Sequence, residues 1–465
     1  MQGVVVPSEL LAAISSPAGG RVTLVIGAGA SFESPTAIPL AGTCSEEAYR
    51  RLVDDEILEA GCVEQPWDLT AVADAVHDAT GGQAELVSRL PLPKFRKAEP
   101  NGGYLLAAAL LREGAVASVL SLNFDRALEN ALMAVGAVED VVVIRGPEDG
   151  VTFGSNNFVY LHRTVDHPPD EWILRSESLD TAWSEAWEEA IAQRTLTTQY
   201  VIFAGLGSAA KVLTETAKKL RTMLGDTVAT LQIDPQPFGP SSFSEALDIS
   251  ENAYLKIGWS DFMSLLGHRV LKEQIAALRT SFADAEREKT GDFDSSEILS
   301  QLTRLGLVAV GGLRASWMLS PGAYETARSW LPTYVAQILL GLVSISGLSK
   351  LDVVLCEDGV VEFWSGGELI SSWGVVCSAG RWKWGSVEAR VEQQQSRWRN
   401  RRVPVRDVMV SGAAGEPGGD LSPPESILGS YDSEHLIPNS TSMSFHSFEH
   451  LDSDEDRLKE VFGVG

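Results

Sequence analysis

A doubly wound parallel α/β sheet is the fold class this sequence predicts for its first 290 residues. Three observations predict it. Short apolar runs rich in β-branched residues alternate with helical stretches between residues 22 and 260. Within a run such as 22–26 the apolar residues are consecutive rather than alternating, the mark of strands buried on both faces. Two runs, at 22–26 and 198–204, stop at glycine-rich turns that lead into helices.

Taken in order, residues 8–14 read as a helix and 22–26 as the first buried strand. Gly27-Ala28-Gly29-Ala30-Ser31 follows as a tight turn into a helix. Glycines there let a backbone approach a phosphate, and the free N–H groups of a helix start favour an anion. Gly27, Ala28, Gly29 and Ser31 are therefore candidate binding residues; a plain tight turn is the bland alternative. Residues 44–113 show helical patterns at 45–60, 67–77, 83–90 and 103–112, and read as a helical insertion over the site. His77 falls in it as a packed or solvated residue.

The second strand, 116–122, ends in Asn123-Phe124-Asp125 before a helix at 126–133. Ligands bind outside the carboxyl ends of strands in such sheets, so Asn123 and Asp125 are candidates, although Asp125 also suits a helix cap. Strands follow at 140–144 and 158–162, the latter ending in His162, which is placed to titrate near neutral pH. His167, beside two prolines, reads as a surface residue. Trp183 and Trp187 share one helix face and read as core. Strand 198–204 enters Gly205-Leu206-Gly207-Ser208, a second turn suited to a phosphate or ribose, with Gly205, Gly207 and Ser208 as candidates. Strand 227–234 ends at Asp234, an acidic residue of the kind that takes ribose hydroxyls. A last strand, 253–259, precedes a long helix that Ser260 or Asp261 would cap.

Composition narrows the function classes. The 465 residues leave room for two or three domains. With 37 Lys and Arg against 63 Asp and Glu, the net charge is −26, which argues against general binding to nucleic acid or an anionic membrane. Cys44, Cys62, Cys356 and Cys377 form no Cys-x-x-Cys pair, so neither a zinc site nor a disulfide framework is expected. The first twenty residues lack the pattern of a signal peptide, and the apolar stretch near 338–345 is too short to span a bilayer. A reduced, cytoplasmic, metal-free protein is the expectation.

Four segments, in order, resemble a sirtuin-type NAD-binding domain, and more closely the zinc-free sirtuin-like NADases of bacterial antiphage defence. They are Gly27–Ser31 with Ile38-Pro39 downstream, Leu122–Asp125, Leu161-His162 and Gly205–Ser208. The resemblance spans about 22–260 and implies a Rossmann-like fold. It also implies NAD as the substrate, with cleavage to ADP-ribose and nicotinamide. His162 would be the general base, Asn123 would orient the ribose or the attacking water, Asp125 would accept from the nicotinamide carboxamide, and the first turn would hold the pyrophosphate. Arg163 stands where the family usually has glycine, the second turn carries an extra residue, and the zinc-binding cysteine pairs are missing. These departures favour NAD breakdown over deacylation. A nucleotide-binding sensor or scaffold, and a protein deacylase, are the alternatives.

Residues 296–408 read as a smaller α+β domain. Helical patterns at 296–307 and 323–348 precede strands at 353–356 and 360–364 around Glu357-Asp358-Gly359, and a third strand at 370–376. Trp364, Trp373, Trp382 and Trp384 point to a small β-rich core, or second to a partner surface. The basic run 397–406 suits docking to an acidic subunit or nucleic acid, and equally a solvated face or pairing with the protein's own acidic tail. Residues 409–465 are acidic and rich in Gly, Pro and Ser, and read as a largely disordered tail with a short helix at 455–461; His435, His446 and His450 have no role there. A constitutive NADase is toxic, so control by homo-oligomerisation, a partner protein or a trigger acting through 296–408 is expected.

Overall fold

Five consecutive buried residues, Val22–Ile26, form strand β1 at the centre of the first sheet. In the computed structural model, the residues described are 6–16, 19–149, 153–154, 156–181, 187–207, 211–239, 241–288, 294–319, 333–378, 382–399, 401–412, 414–415, 421–422, 443–451 and 461–462. The chain divides into two units, Met1–Arg269 and Val270–Gly465.

In the first unit, helix α1 (Ser8–Ile14) precedes β1, and the five-residue α2 (Ala28–Phe32) follows it. The expected insertion is all helix: α3 (Ala41–Asp54), α4 (Leu69–Thr80), α5 (Ala84–Arg89), α6 (Leu92–Arg96) and α7 (Gly102–Arg112). Local chemistry sets two of the starts. Asp68 accepts hydrogen bonds from the Thr70 and Ala71 N–H groups at the head of α4, and Asn101 accepts from Tyr104 N–H at the head of α7. Then come β2 (Ser118–Ser121), α8 (Ala127–Ala134), β3 (Val142–Ile144), β4 (Asn157–Tyr160), α9 (Ser176–Thr181), α10 (Trp187–Thr195) and β5 (Tyr200–Ala204). The unit continues with α11 (Lys211–Leu224), β6 (Ala229–Asp234), α12 (Ser242–Ala246) and β7 (Tyr254–Lys256), and enters α13 (Trp259–Glu288).

The seven strands form one sheet in the order β3-β4-β2-β1-β5-β6-β7, and every pair is parallel. This is the doubly wound sheet read from the sequence. The chain winds outward from β1 through β2, then returns to place β5 on the other side of β1. The strand order therefore reverses between β1 and β5, where open α/β sheets leave a crevice. Both glycine turns leave these two strands. Val25, Leu120, Val159, Val201 and Phe203 pack with Phe243 and Leu247 into a core cluster beside the sheet.

The glycines of the turns are explained first by each other. Gly29 N–H donates to Gly205 O at 2.9 Å, and Gly27 N–H donates to Ala204 O at 2.9 Å. Gly205 has a φ of +66°, and a Cβ there would lie 2.4 Å from Ala30 N. A Cβ on Gly29 would lie 2.6 Å from Gly205 Cα. Only glycine lets the two backbones touch in this way.

One helix start differs from the reading. Helix α13 begins at Trp259, and its first N–H groups are taken by Glu33, 226 residues earlier. The Glu33 carboxylate accepts from Trp259 N–H at 2.7 Å and from Ser260 N–H at 3.0 Å. A remote carboxylate at a helix N-terminus satisfies orphan donors and opposes the helix dipole, which is why neither Ser260 nor Asp261 is needed as a cap.

The second unit holds α14 (Ser296–Trp317), broken at Gly306, and α15 (Thr333–Ser349). The first runs past the helix expected at 296–307, and the second covers the described part of the helix expected at 323–348; residues 323–332 lie outside the described residues. Strands β8 (Asp352–Leu355) and β9 (Val361–Ser365) form the expected hairpin, and the expected third strand, β10 (Glu368–Cys377), extends it into an antiparallel meander. The sequence reading missed α16 (Trp384–Trp398), which connects β10 to the parallel strand β11 (Asp407–Ser411). A two-stranded ribbon, β12 (Ala414–Gly415) and β13 (Leu421–Ser422), follows. The acidic tail supplies β14 (Ser444–Ser447), parallel to β11, and a short helix, Phe448–Leu451. Of the helix expected at 455–461, all but its last residue lies outside the described residues. Of the four tryptophans singled out, Trp373, Trp382 and Trp384 are buried and serve the core together with Trp398, while Trp364 is half-buried and donates to Glu362 at 3.1 Å. Arg401 of the basic run pairs with Asp358 and Glu362 of the same unit.

The turn contact makes a stability prediction. Gly205→Ala should cost about 1–3 kcal/mol by overpacking and lower the melting temperature by several degrees. Gly102→Ala, where a Cβ meets nothing within 4 Å, should leave it unchanged. Thermal denaturation followed by circular dichroism reads both.

Candidate active site

Ser31, Asn123 and Asp125, flagged from separate parts of the chain, meet at the carboxyl ends of β1 and β2. The Ser31 hydroxyl donates to Asp125 Oδ2 at 2.7 Å. Having spent its proton, its oxygen accepts from the Tyr104 hydroxyl at 2.6 Å and from Asn123 Nδ2 at 3.1 Å. Asn123 Nδ2 also donates to Gly27 O at 3.0 Å and reaches Tyr104 Oη at 3.3 Å. The Gly27 carbonyl fixes which way this amide faces, because only the NH2 group can donate to it. That leaves Asn123 Oδ1, an acceptor, turned away from these partners.

Asp125 fills both roles considered for it. Its Oδ1 accepts from Ala127 N–H at 2.9 Å, a capping bond at the head of α8. Its Oδ2 holds Ser31, and its main-chain carbonyl accepts from the Tyr160 hydroxyl at 3.1 Å. Burial pushes the Asp125 carboxyl above the usual range, and the bonds from Ser31 and Ala127 pull it back in part. Burial, and then the Asp125 charge, push the Tyr104 hydroxyl well above its ordinary value, so it stays a donor.

His162 sits two residues beyond the end of β4 and is half-buried. Its ring lies 6.4 Å from that of Phe124, which stacks on Trp172 at 4.3 Å. Burial, and then the neighbouring Arg163 charge, push its pKa down to about 4. The imidazole is therefore neutral at pH 7 and able to accept a proton. This corrects the expectation of titration near neutrality.

Arg163 has a φ of +83°. A residue with a Cβ pays about 1–2 kcal/mol for that left-handed conformation. Its Nη1 donates to Glu188 Oε1 at 2.7 Å, and Glu188, on α10, is only 3% exposed. The guanidinium also lies 5.9 Å from the Trp187 ring centroid. Beyond Arg163 the loop is tied down at several points. Val165 N–H donates to Phe124 O at 2.8 Å, and Thr164 N–H to His167 Nδ1 at 3.1 Å. Gln83, at the head of α5, donates to Pro169 O and Trp172 O, each at 2.7 Å. His167 thus braces this loop.

The remaining candidates are placed differently. Gly27 and Gly29 have spent their N–H groups on the β5 side, so the first turn offers fewer donors to an anion than its sequence suggests. Ala28 N–H, at the head of α2, has no protein acceptor among the described residues. Gly205 and Gly207 follow β5 as expected, and Ser208 lies outside the described residues. Asp234 ends β6, and its Oδ1 accepts from Gln236 N–H at 2.8 Å in its own turn, away from the network. Tyr104 was missed by the sequence reading; its signal was one phenol in an otherwise apolar helix. Glu33 had none, since its partners are 226 residues away. Among the described residues, no group of three His, Cys, Asp or Glu is arranged to hold a metal ion, and no helix is long and apolar enough to cross a membrane.

No family model and no curated protein matches the chain. Solved structures of Sir2 homologues do match it. A Sir2 homologue–NAD complex is 16% identical, with 58% of this chain and 96% of that chain covered and a TM-score of 0.36. An ADP-ribose complex of a mutant Sir2 homologue is 18% identical over 57% and 97%, at 0.34. A complex of Sir2 with a peptide and NAD+ is 14% identical over 58% and 98%, at 0.33.

The histidine sets a pH dependence. Folding lowers the His162 pKa from 6.5 to about 4, so between these values the unfolded chain binds a proton that the folded chain does not. The stability His162 contributes is complete above pH 6.5 and is lost as the pH falls toward 4. Urea titrations at pH 7 and pH 5 should show a smaller loss of stability in His162→Gln than in the unchanged protein.

Proposed function

We propose that the first unit binds NAD at the crevice between β1 and β5 and cleaves it to nicotinamide and ADP-ribose. The observation that carries this reading is convergence. Residues from four separate segments, ordered as in sirtuin-type domains, lie at the carboxyl ends of β1, β2, β4 and β5. Ser31, Asn123 and Asp125 are joined by hydrogen bonds, and a neutral histidine follows β4.

The chemistry fits the groups present. Cleavage of the nicotinamide–ribose bond passes through an oxocarbenium-like state, as in glycoside cleavage. Asn123 Oδ1 can only accept, so it suits a ribose hydroxyl or an attacking water. Neutral His162 takes the proton from that hydroxyl or water, a role worth about 10²–10⁴-fold in rate. Asp125 supplies negative charge at low dielectric near the developing cation and accepts from the nicotinamide carboxamide. In this reading the pyrophosphate and ribose rest against the two glycine turns, near Ala28 and Gly207. In this reading NAD is a substrate, no metal takes part, and the protein is a triggered NAD-depleting effector of antiphage defence. Its second unit, 296–408 with the tail, receives the trigger or assembles copies.

A second reading, a nucleotide-binding sensor, is favoured by one observation. Ser31, the Asn123 amide group and both Asp125 oxygens are spent on the protein itself. Turnover separates the two. The full-length protein should convert NAD to nicotinamide and ADP-ribose without any acylated peptide. His162→Ala should lose at least about 10²-fold of that rate, and Asn123→Ala should lose activity as well. Tight NAD binding with no turnover favours the sensor, and turnover that requires an acyl peptide favours deacylation. Absence of NAD binding overturns all three readings.

A further inference from the structure

Arg163, directly after His162, is a left-handed residue with a side chain. It is held by a partner that is almost wholly buried. Glycine would make the same turn without strain. An arginine there needs an anchor, and Glu188 is that anchor. The ion pair is short, at 2.7 Å, and its carboxylate is 3% exposed while the guanidinium is 22% exposed. A pair of this kind is strongly directional, and removing one partner strands the other charge. It joins the turn after β4 to α10, a second rigid element.

We infer that Arg163, clamped on Glu188, is a positioning residue for His162: the ion pair holds the left-handed turn that presents the imidazole. This rests on the base role proposed for His162, but not on the identity of the substrate. Among the described residues, the ionisable groups on the segments after β2 and β4 include Arg163 and, through it, Glu188 on α10, Asp125 and Arg126 after β2, and Asp166 and His167 further along the same loop. Asp166 is engaged by Arg96 and Arg126, and His167 by Thr164. Arg163 is the cation whose charge bears on the ring. The same clamp therefore fixes where His162 sits and adds its charge to the burial that keeps the ring unprotonated.

The test uses the full-length chain with labelled histidine, the His162 signal being the one missing from His162→Gln. In Arg163→Gly the titration midpoint of His162 should rise by on the order of one pH unit. Amide exchange at Thr164 should accelerate, and kcat for NAD should fall roughly tenfold or more with KM little changed. Arg163→Lys should keep the low midpoint while loosening the turn, because it retains the charge but not the planar fork. Glu188→Gln should accelerate exchange at Thr164 as Arg163→Gly does. If either variant fails to fold, the double variant Arg163→Gly with Glu188→Gln, which relieves the strain and leaves no buried charge unpaired, decides the matter by the same two readouts. An unchanged midpoint and unchanged exchange in Arg163→Gly overturn the inference. Should the wild type not cleave NAD while both readouts shift, the proposed function fails and the positioning role stands.

Discussion

The first unit depends on one hydroxyl. Ser31 is wholly buried and takes part in three hydrogen bonds to three different elements, through Asp125, Tyr104 and Asn123. Through Asp125 it ties α2 to the head of α8, through Tyr104 to the insertion, and through Asn123 to the end of β2. A buried network of this kind is costly when half satisfied and rigid when complete. The Ser31 hydroxyl gives its one proton and accepts two, and the direction of each proton follows from Asp125 being an acceptor. The turn after β1 cannot move without breaking this arrangement.

The parallel sheet was legible because its strands are buried on both faces and leave unbroken apolar runs. Strand ends were less so: the run ending at His162 stops pairing at Tyr160, which places the histidine in the loop rather than on the strand. The candidate site was legible in outline, since polar residues directly after buried strands have few other reasons to be there. Its wiring was not legible. Tyr104 joins from a helix seventy-odd residues after Ser31, and Glu33 caps a helix whose start shows no cap of its own. The glycines of the first turn carried an ambiguous signal. A glycine needed for a phosphate and one needed for a neighbouring backbone look alike in one dimension, and here Gly29 and Gly205 are needed by each other.

In the second unit the meander was legible from its Glu357-Asp358-Gly359 turn. Helix α16 was hidden among tryptophans that read as strand residues. Its Trp398 ring closes on Gly374 of β10, where a Cβ would sit 2.5 Å from the indole, so packing against the sheet overrides local propensity. The basic run that follows loses Arg401 to Asp358 and Glu362 and is less of a free cationic surface than its sequence suggests.

The strand contributed by the tail gives the second sheet its border. β14 covers β11, whose Val408, Met409 and Val410 are all buried, and His446 reaches Asp407 at 3.0 Å across the pair. Without β14, the backbone donors and acceptors along one side of β11 would be open beside a strongly apolar row. Such a border recruits any extended chain that reaches it, including another copy of the same protein. A shortened protein ending before residue 443 would thus exchange a short, partly polar border strand for a strongly apolar one, and clumping in that protein would report on the missing strand.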